Sequence, residues 1–284
     1  MSGYSEHRYR SDDGLTLYYR HYGADQQSLP VICLPGISRN CRDFESLATH
    51  LASRYPVITP DFRGRGFSAR DPNWRNYRPQ TYVNDVLALL HTLQIKRAAF
   101  IGTSLGGIVS TALAAEWRML AAGVVLNDIG PEIGSDGLAR IKGYLGLAQP
   151  VADWAEAVQQ ARETYADAWP GLSTEDWAQL VRRSYRENAD GVPELDMDPM
   201  IGEAAREVGT GLDDPWQLFD GLADIPTLVL QGALSDILTD EIVVRMQQRK
   251  ADLQHVVVPN RGHVPLLDET ESLEAIDHFL EQLE

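Results

Sequence analysis

Cysteine is scarce in this chain: Cys33 and Cys41 are the two present among 284 residues. A disulfide framework needs more, so a fold stapled by cross-links is excluded, and the thiols point to a reducing, cytoplasmic setting. Cys33 reads as a small buried hydrophobe in a strand pattern, and Cys41 as a loop thiol of mild reactivity; neither is expected to be catalytic. Long apolar runs are missing too. Stretches such as residues 123–126 and 227–230 are far shorter than the ~20 residues that cross a bilayer. The N-terminus, Met1-Ser2-Gly3-Tyr4-Ser5-Glu6-His7-Arg8, lacks the apolar core and cleavage site of a secretory signal. Basic charge is in deficit, with 25 Lys and Arg against 41 Asp and Glu and a net charge of −16. Such a surface repels phosphate backbones and anionic lipid, so neither nucleic acid nor membrane is an expected partner. No His-Glu-x-x-His or paired-Cys spacing occurs, and no metal or other cofactor is expected.

What is present is an alternation of short apolar runs and amphipathic stretches. Residues 9–22 read as a β-hairpin around Asp12-Asp13-Gly14. Strands are expected at 31–34, 57–59, 98–101, 124–126, 227–230 and 255–258. Helices are expected at 43–53, 81–93, 105–115, 240–248 and 267–283, where apolar residues recur at helical spacing. This pattern calls for an α/β fold, a mostly parallel sheet covered by helices on both faces. Between residues 129 and 226 the rhythm breaks. No convincing strand appears there, and helices are expected at 137–147, 151–169, 174–187 and 200–207. We read residues 1–129 and 226–284 as the core and 130–225 as an inserted helical cap, a common place to build a substrate pocket.

The sharpest chemical signal is Gly102-Thr103-Ser104-Leu105-Gly106-Gly107, between an expected strand and an expected helix. A serine on a strand-to-helix turn needs strained backbone angles and small neighbours two residues either side. The turn lifts the hydroxyl above the sheet, and the helix N-terminus beneath supplies free N–H groups. Serine is a weak nucleophile and needs a base. Of the seven histidines, His263 lies in a loop just past a strand, where an imidazole can be aimed freely. An orienting carboxylate is expected from Asp236, after the strand at 227–230, with Asp128, after the strand at 124–126, as the rival. The oxyanion donors are expected to be the N–H groups of Leu105 and of Ile37, in Leu34-Pro35-Gly36-Ile37.

These motifs, over essentially the whole chain, resemble the α/β-hydrolase fold family, in its serine esterase- and lipase-like branch. The resemblance implies a nucleophile elbow at Ser104, a catalytic triad of Ser104, Asp236 and His263, and an oxyanion hole at Pro35-Gly36-Ile37. Asp61-Phe62-Arg63-Gly64-Arg65-Gly66-Phe67-Ser68 resembles a further family turn that braces the site. Many members carry His-Gly at the oxyanion loop where this chain has Pro35-Gly36, a change that keeps the backbone donor. Dehalogenases and epoxide hydrolases of the fold use an aspartate nucleophile, and prolyl aminopeptidases and meta-cleavage C–C hydrolases tend to a longer Gly-rich oxyanion loop.

Other signals carry less. Gly64-Arg65-Gly66-Phe67-Ser68-Ala69 fits G-x-G-x-x-A, but Arg70-Asp71-Pro72 follows and does not open the helix a dinucleotide site requires. Arg63, Arg65, Arg70, Arg75 and Arg78 are expected to be mostly solvated or paired at the surface; Arg39 and Arg42 lie nearer the expected site mouth, where they could favour an anionic substrate, with exposed charge the favoured expectation for both. Tyr144, Trp154, Tyr165, Trp169, Trp177 and Tyr185 should pack the cap, with a few facing the pocket. The expectation is a cofactor-independent hydrolase, monomeric or homodimeric. It cleaves a small carboxylic ester or lactone, with an apolar or aromatic group, through an acyl-enzyme. The same triad used for C–C, amide or perhydrolytic chemistry, or a small-ligand receptor without turnover, are the alternatives.

Overall fold

A computed structural model describes residues 3–208 and 214–284. The chain opens with strands β1 (Tyr4–Arg10), β2 (Thr16–Tyr22) and β3 (Val31–Leu34), then helix α1 (Glu45–Leu51), β4 (Val57–Asp61), α2 (Pro79–Thr92), β5 (Ala98–Thr103), α3 (Leu105–Glu116) and β6 (Ala121–Asn127). A mostly helical segment follows: α4 (Ser135–Tyr144), α5 (Trp154–Tyr165), α6 (Thr174–Ser184), β7 (Tyr185–Glu187), β8 (Pro193–Leu195), α7 (Met200–Val208) and α8 (Pro215–Asp220). The chain then returns through β9 (Thr227–Gly232), α9 (Asp240–Arg249), β10 (Gln254–Val258) and α10 (Thr270–Glu281).

Eight strands form one sheet in the order β1-β2-β4-β3-β5-β6-β9-β10. β1 and β2 form the antiparallel N-terminal hairpin, β2 meets β4 antiparallel, and every later pairing is parallel. The central strands explain why the sheet is covered on both sides. In β3, Ile32 and Leu34 face one apolar cluster while Val31 and Cys33 face the other. β5 divides the same way, Phe100 against Ile101, and β9 sets Val229 against Leu228 and Leu230. Both sets are apolar because both faces are buried, as a parallel sheet between helices requires. Among the described residues no helix is long and apolar enough to cross a membrane.

The segment between β6 and β9 departs from the expectation in two ways. It contains a two-stranded antiparallel ribbon, β7 with β8, where no strand is predicted; the helix expected to reach residue 187 stops at Ser184. Tyr185-Arg186-Glu187 is too short to carry a period of its own, and pairing with Pro193–Leu195 across the Asn188–Gly191 turn fixes it as strand. The end of the segment also packs as core: Phe219, Leu222 and Ile225 share a cluster with Val109 and Leu113 of α3.

Two further expectations fail at the residue level. Arg63 and Arg65 are not surface charge but are 2 % and 1 % exposed. Arg63 is surrounded by Asp13, Asp71 and Asp85, and Arg65 lies over the Tyr82 ring and donates to its hydroxyl at 2.7 Å. Cys41 is fully buried beside Asp61, and burial first, then that carboxylate, pushes its thiol well above the ordinary range. It is therefore an inert thiol, not a reactive one.

Candidate active site

Ser104, Asp128 and His263 reach one another because their loops leave the same edge of the sheet. Ser104 follows β5, Asp128 follows the adjacent β6, and His263 lies past β10. Ser104 sits at φ 50° and ψ −113°, in the left-handed region that costs a non-glycine residue energy. The turn survives because its surroundings are built for it. A Cβ on Gly106 would stand 1.9 Å from the Leu34 carbonyl oxygen, and one on Gly102 would stand 2.3 Å from that of Gly106. The Ser104 N–H is held by the Asn127 carbonyl at 3.1 Å, and the Ser104 carbonyl accepts from Gly107 and Ile108.

His263 links the two other side chains. Its Nδ1 is 2.7 Å from Asp128 Oδ2, and its Nε2 is 3.0 Å from Ser104 Oγ. A carboxylate accepts, so Nδ1 carries the hydrogen and Nε2 is left to accept the serine hydroxyl. Asp128 is fully buried yet well supplied with donors: Gly232 N–H to Oδ1 at 2.8 Å, and Ser235 Oγ–H to Oδ2 at 2.6 Å. These bonds compensate the cost of burying the carboxylate. Asn127, next to it, donates to Thr103 Oγ1 and to the Pro265 carbonyl, tying the end of β5 to the histidine loop.

Asp236 does not take the place expected of it. Its carboxylate receives Nε and Nη2 of Arg140, both at 2.7 Å, and that guanidinium holds it below the usual carboxylate range. Arg140 belongs to α4, far away in sequence, so the competing partner was invisible in a reading of the β9 loop. Asp128 satisfies the same serine–acid–histidine order. A usable signal was its position directly after the strand neighbouring β5. Ser235, the residue before the favoured acid, supplies one of the hydrogen bonds to Asp128 and was not singled out at all.

The two expected oxyanion donors keep unengaged N–H groups. Among the described residues neither Leu105 N–H nor Ile37 N–H donates to another protein group. The loop comes close to the serine, since a Cβ on Gly36 would be 3.9 Å from that of Ser104. The Ile37 carbonyl is pinned by Arg65 Nε at 2.9 Å, so the buried arginine that sequence reading placed at the surface orients this loop.

Two cavities meet at Ser104. One, of about 70 Å³, runs beneath Tyr144, Tyr165 and Trp169 and is lined by His263, Arg39 and Arg183. The other, of about 90 Å³, is apolar, with Leu105, Ile108, Ile129, Ile133 and Ile141 in its walls. Arg42 pairs with Asp196 at 2.7 Å, and Arg39 lines the first cavity instead of standing exposed. Trp154 and Tyr185 pack within the segment between β6 and β9. Trp169 Nε1 donates to the Val264 carbonyl at 2.7 Å and so anchors that segment to the histidine loop. Among the described residues no group of three or more His, Cys, Asp or Glu is placed to hold a metal ion.

With this geometry in place, comparison with known proteins is informative. The family model described as the alpha/beta hydrolase family matches residues 31–275. The crystal structure of an alpha/beta hydrolase from Novosphingobium aromaticivorans superposes with a TM-score of 0.94 at 40 % identity, covering 99 % of each chain. A 3-hydroxybutyrate-oligomer hydrolase from Cupriavidus necator is 29 % identical over 87 % of this chain and 86 % of its own length. A 2-(acetamidomethylene)succinate hydrolase from Mesorhizobium japonicum is 26 % identical over the same shares, 87 % and 86 %.

Proposed function

The chain belongs to the alpha/beta hydrolase family, and on that footing we propose that it is a serine hydrolase cleaving a small carboxylic ester, lactones included, through an acyl-enzyme. The observation that carries this reading is the continuous hydrogen-bonded chain from Asp128 through His263 to Ser104, set beside two undonated backbone N–H groups. Ser104 Oγ attacks the carbonyl carbon as its proton passes to His263 Nε2. Asp128 fixes the ring and stabilises the imidazolium that forms. The negative charge on the carbonyl oxygen is met by the N–H groups of Leu105 and Ile37, already oriented before reaction. His263 then returns the proton to the leaving alcohol oxygen. Water, deprotonated by the same nitrogen, attacks the acyl-enzyme, the acid departs and Ser104 regains its proton.

The apolar cavity supports a substrate with an apolar or aromatic group. The relative named for 3-hydroxybutyrate oligomers supports ester chemistry, since such oligomers are joined by ester bonds. Two free, buried cysteines fit a cytoplasmic setting. A fluorophosphonate probe tests the assignment of the nucleophile. It is expected to label the folded protein on Ser104 and to leave Ser104→Ala unlabelled; labelling of another residue, or none, contradicts it.

A further inference from the structure

The Ser104 cavity holds a cation that the hydrolytic chemistry does not use. Two arginines line it, Arg39 and Arg183. Arg39 is neutralised, since Nε and Nη2 each donate to Asp43 at 2.7 Å. Arg183, near the end of α6, is not. Its guanidinium makes one weak bond, Nη2 to Ser46 Oγ at 3.3 Å, and among the described residues no carboxylate lies within 4.0 Å of it. Asp268 interacts with it only through space. Of the two arginines that line the cavity, Arg183 is therefore the one without a carboxylate at salt-bridge distance, in a chain whose net charge is −16. In a protein this acidic most arginines find a carboxylate. Arg20, Arg42, Arg54, Arg63, Arg118 and Arg140 all do.

The neighbours suit an anion. Tyr144 and Tyr165 line the same wall with ring centroids 5.5 Å apart, and burial pushes both phenols up, so they stay protonated and add no negative charge there. Arg183 also borders an outer groove beside Ser46 and Arg182, which places it between solvent and the cavity. A cation in such a cleft attracts an anion from solution and binds it with a charge-assisted hydrogen bond.

We propose that Arg183 binds a carboxylate of the substrate, so that the ester presented to Ser104 is that of a hydroxy acid or dicarboxylic acid with one acid group left free. The apolar cavity on the other side of Ser104 then takes the uncharged part. This rests on the hydrolase reading above and narrows it to a substrate class.

Two matched pairs of esters test it, because the free acid can stand on either side of the scissile bond. One pair is p-nitrophenyl butyrate and mono-p-nitrophenyl succinate; the other is phenyl acetate and para-acetoxybenzoate. In at least one pair kcat/KM is expected to favour the anionic member by about 10- to 100-fold, the range of a hydrogen bond to a charged group. Arg183→Gln should abolish that ratio and Arg183→Lys should retain part of it. In the wild-type protein the ratio should also fall as salt is raised, a readout that needs no variant to fold. The proposal is overturned if both neutral esters are preferred, or if the preference survives Arg183→Gln or is indifferent to salt. Failure of the hydrolase reading looks different: no ester of either pair is turned over, and Ser104 takes no fluorophosphonate.

Discussion

Which carboxylate serves His263 is decided by individual hydrogen bonds. Among the described residues no Lys or Arg competes for Asp128; its oxygens accept from Gly232, Ser235 and His263. Asp236 is fully engaged by Arg140. Replacing Asp128 with Asn removes the acceptor that sets the imidazole tautomer, and kcat for an aryl ester is expected to fall by about 10⁴-fold, the scale found when a triad aspartate is amidated elsewhere. Asp236→Asn should change kcat by less than about tenfold. Steady-state kinetics on the two variants checks this, and the reverse ranking would show that the acid had been assigned to the wrong loop. Ser104 and His263 were legible in the sequence because each stands in a local context: a glycine-flanked turn, and a loop after a strand. The acid was not, since two strands end in an aspartate loop and the residue that separates them, Arg140, comes from α4.

The strained serine turn is a property of an element junction. β5 and α3 can meet so tightly only because Gly102 and Gly106 let backbone pass against backbone. Gly106→Ala would drive its methyl into the Leu34 carbonyl at the end of β3, and backbone there cannot swing aside as a flexible side chain would. The variant is expected to lose roughly 3 kcal/mol or more of stability, or to fail to fold, at the upper end of overpacking costs. Urea denaturation measures it, and a variant as stable as the parent would contradict the close approach. Elements with strong periodicity were read well: β3 coincides with the expected strand, and α3, α9 and β10 differ by a residue or so at their ends. The β7–β8 ribbon escaped notice because three-residue strands carry no period to detect. The buried positions of Arg63 and Arg65 escaped because their partners lie elsewhere in the chain, Asp13 in the turn between β1 and β2 and both Tyr82 and Asp85 in α2.

At the scale of the whole molecule, the segment between β6 and β9 is clamped onto the sheet by polar contacts around the cavity. Arg42 and Arg186 both reach Asp196, at 2.7 Å and 3.1 Å. Arg42 Nε and Asn40 Nδ2 each donate to the Arg183 carbonyl, while Tyr77 donates to Asp198. Asp196 is the shared acceptor and is 3 % exposed at its side chain. Asp196→Ala leaves the mostly buried Arg42 without its carboxylate and is expected to cost about 3 kcal/mol, the lower end for breaking one partner out of a buried pair. The midpoint of urea unfolding should drop with an unchanged slope; an unchanged midpoint would mean that the contact holds nothing.

The proposed mechanism turns on one covalent event, the transfer of an acyl group to Ser104, and that event can be weighed. The protein is mixed with p-nitrophenyl acetate, quenched in acid before the first turnover completes, and measured by intact-mass and peptide mass spectrometry. The account predicts one acetyl group per chain on Ser104, lost as the reaction proceeds and never formed in Ser104→Ala. Release of p-nitrophenol at the full rate with no acetyl on Ser104, or from Ser104→Ala, would contradict it.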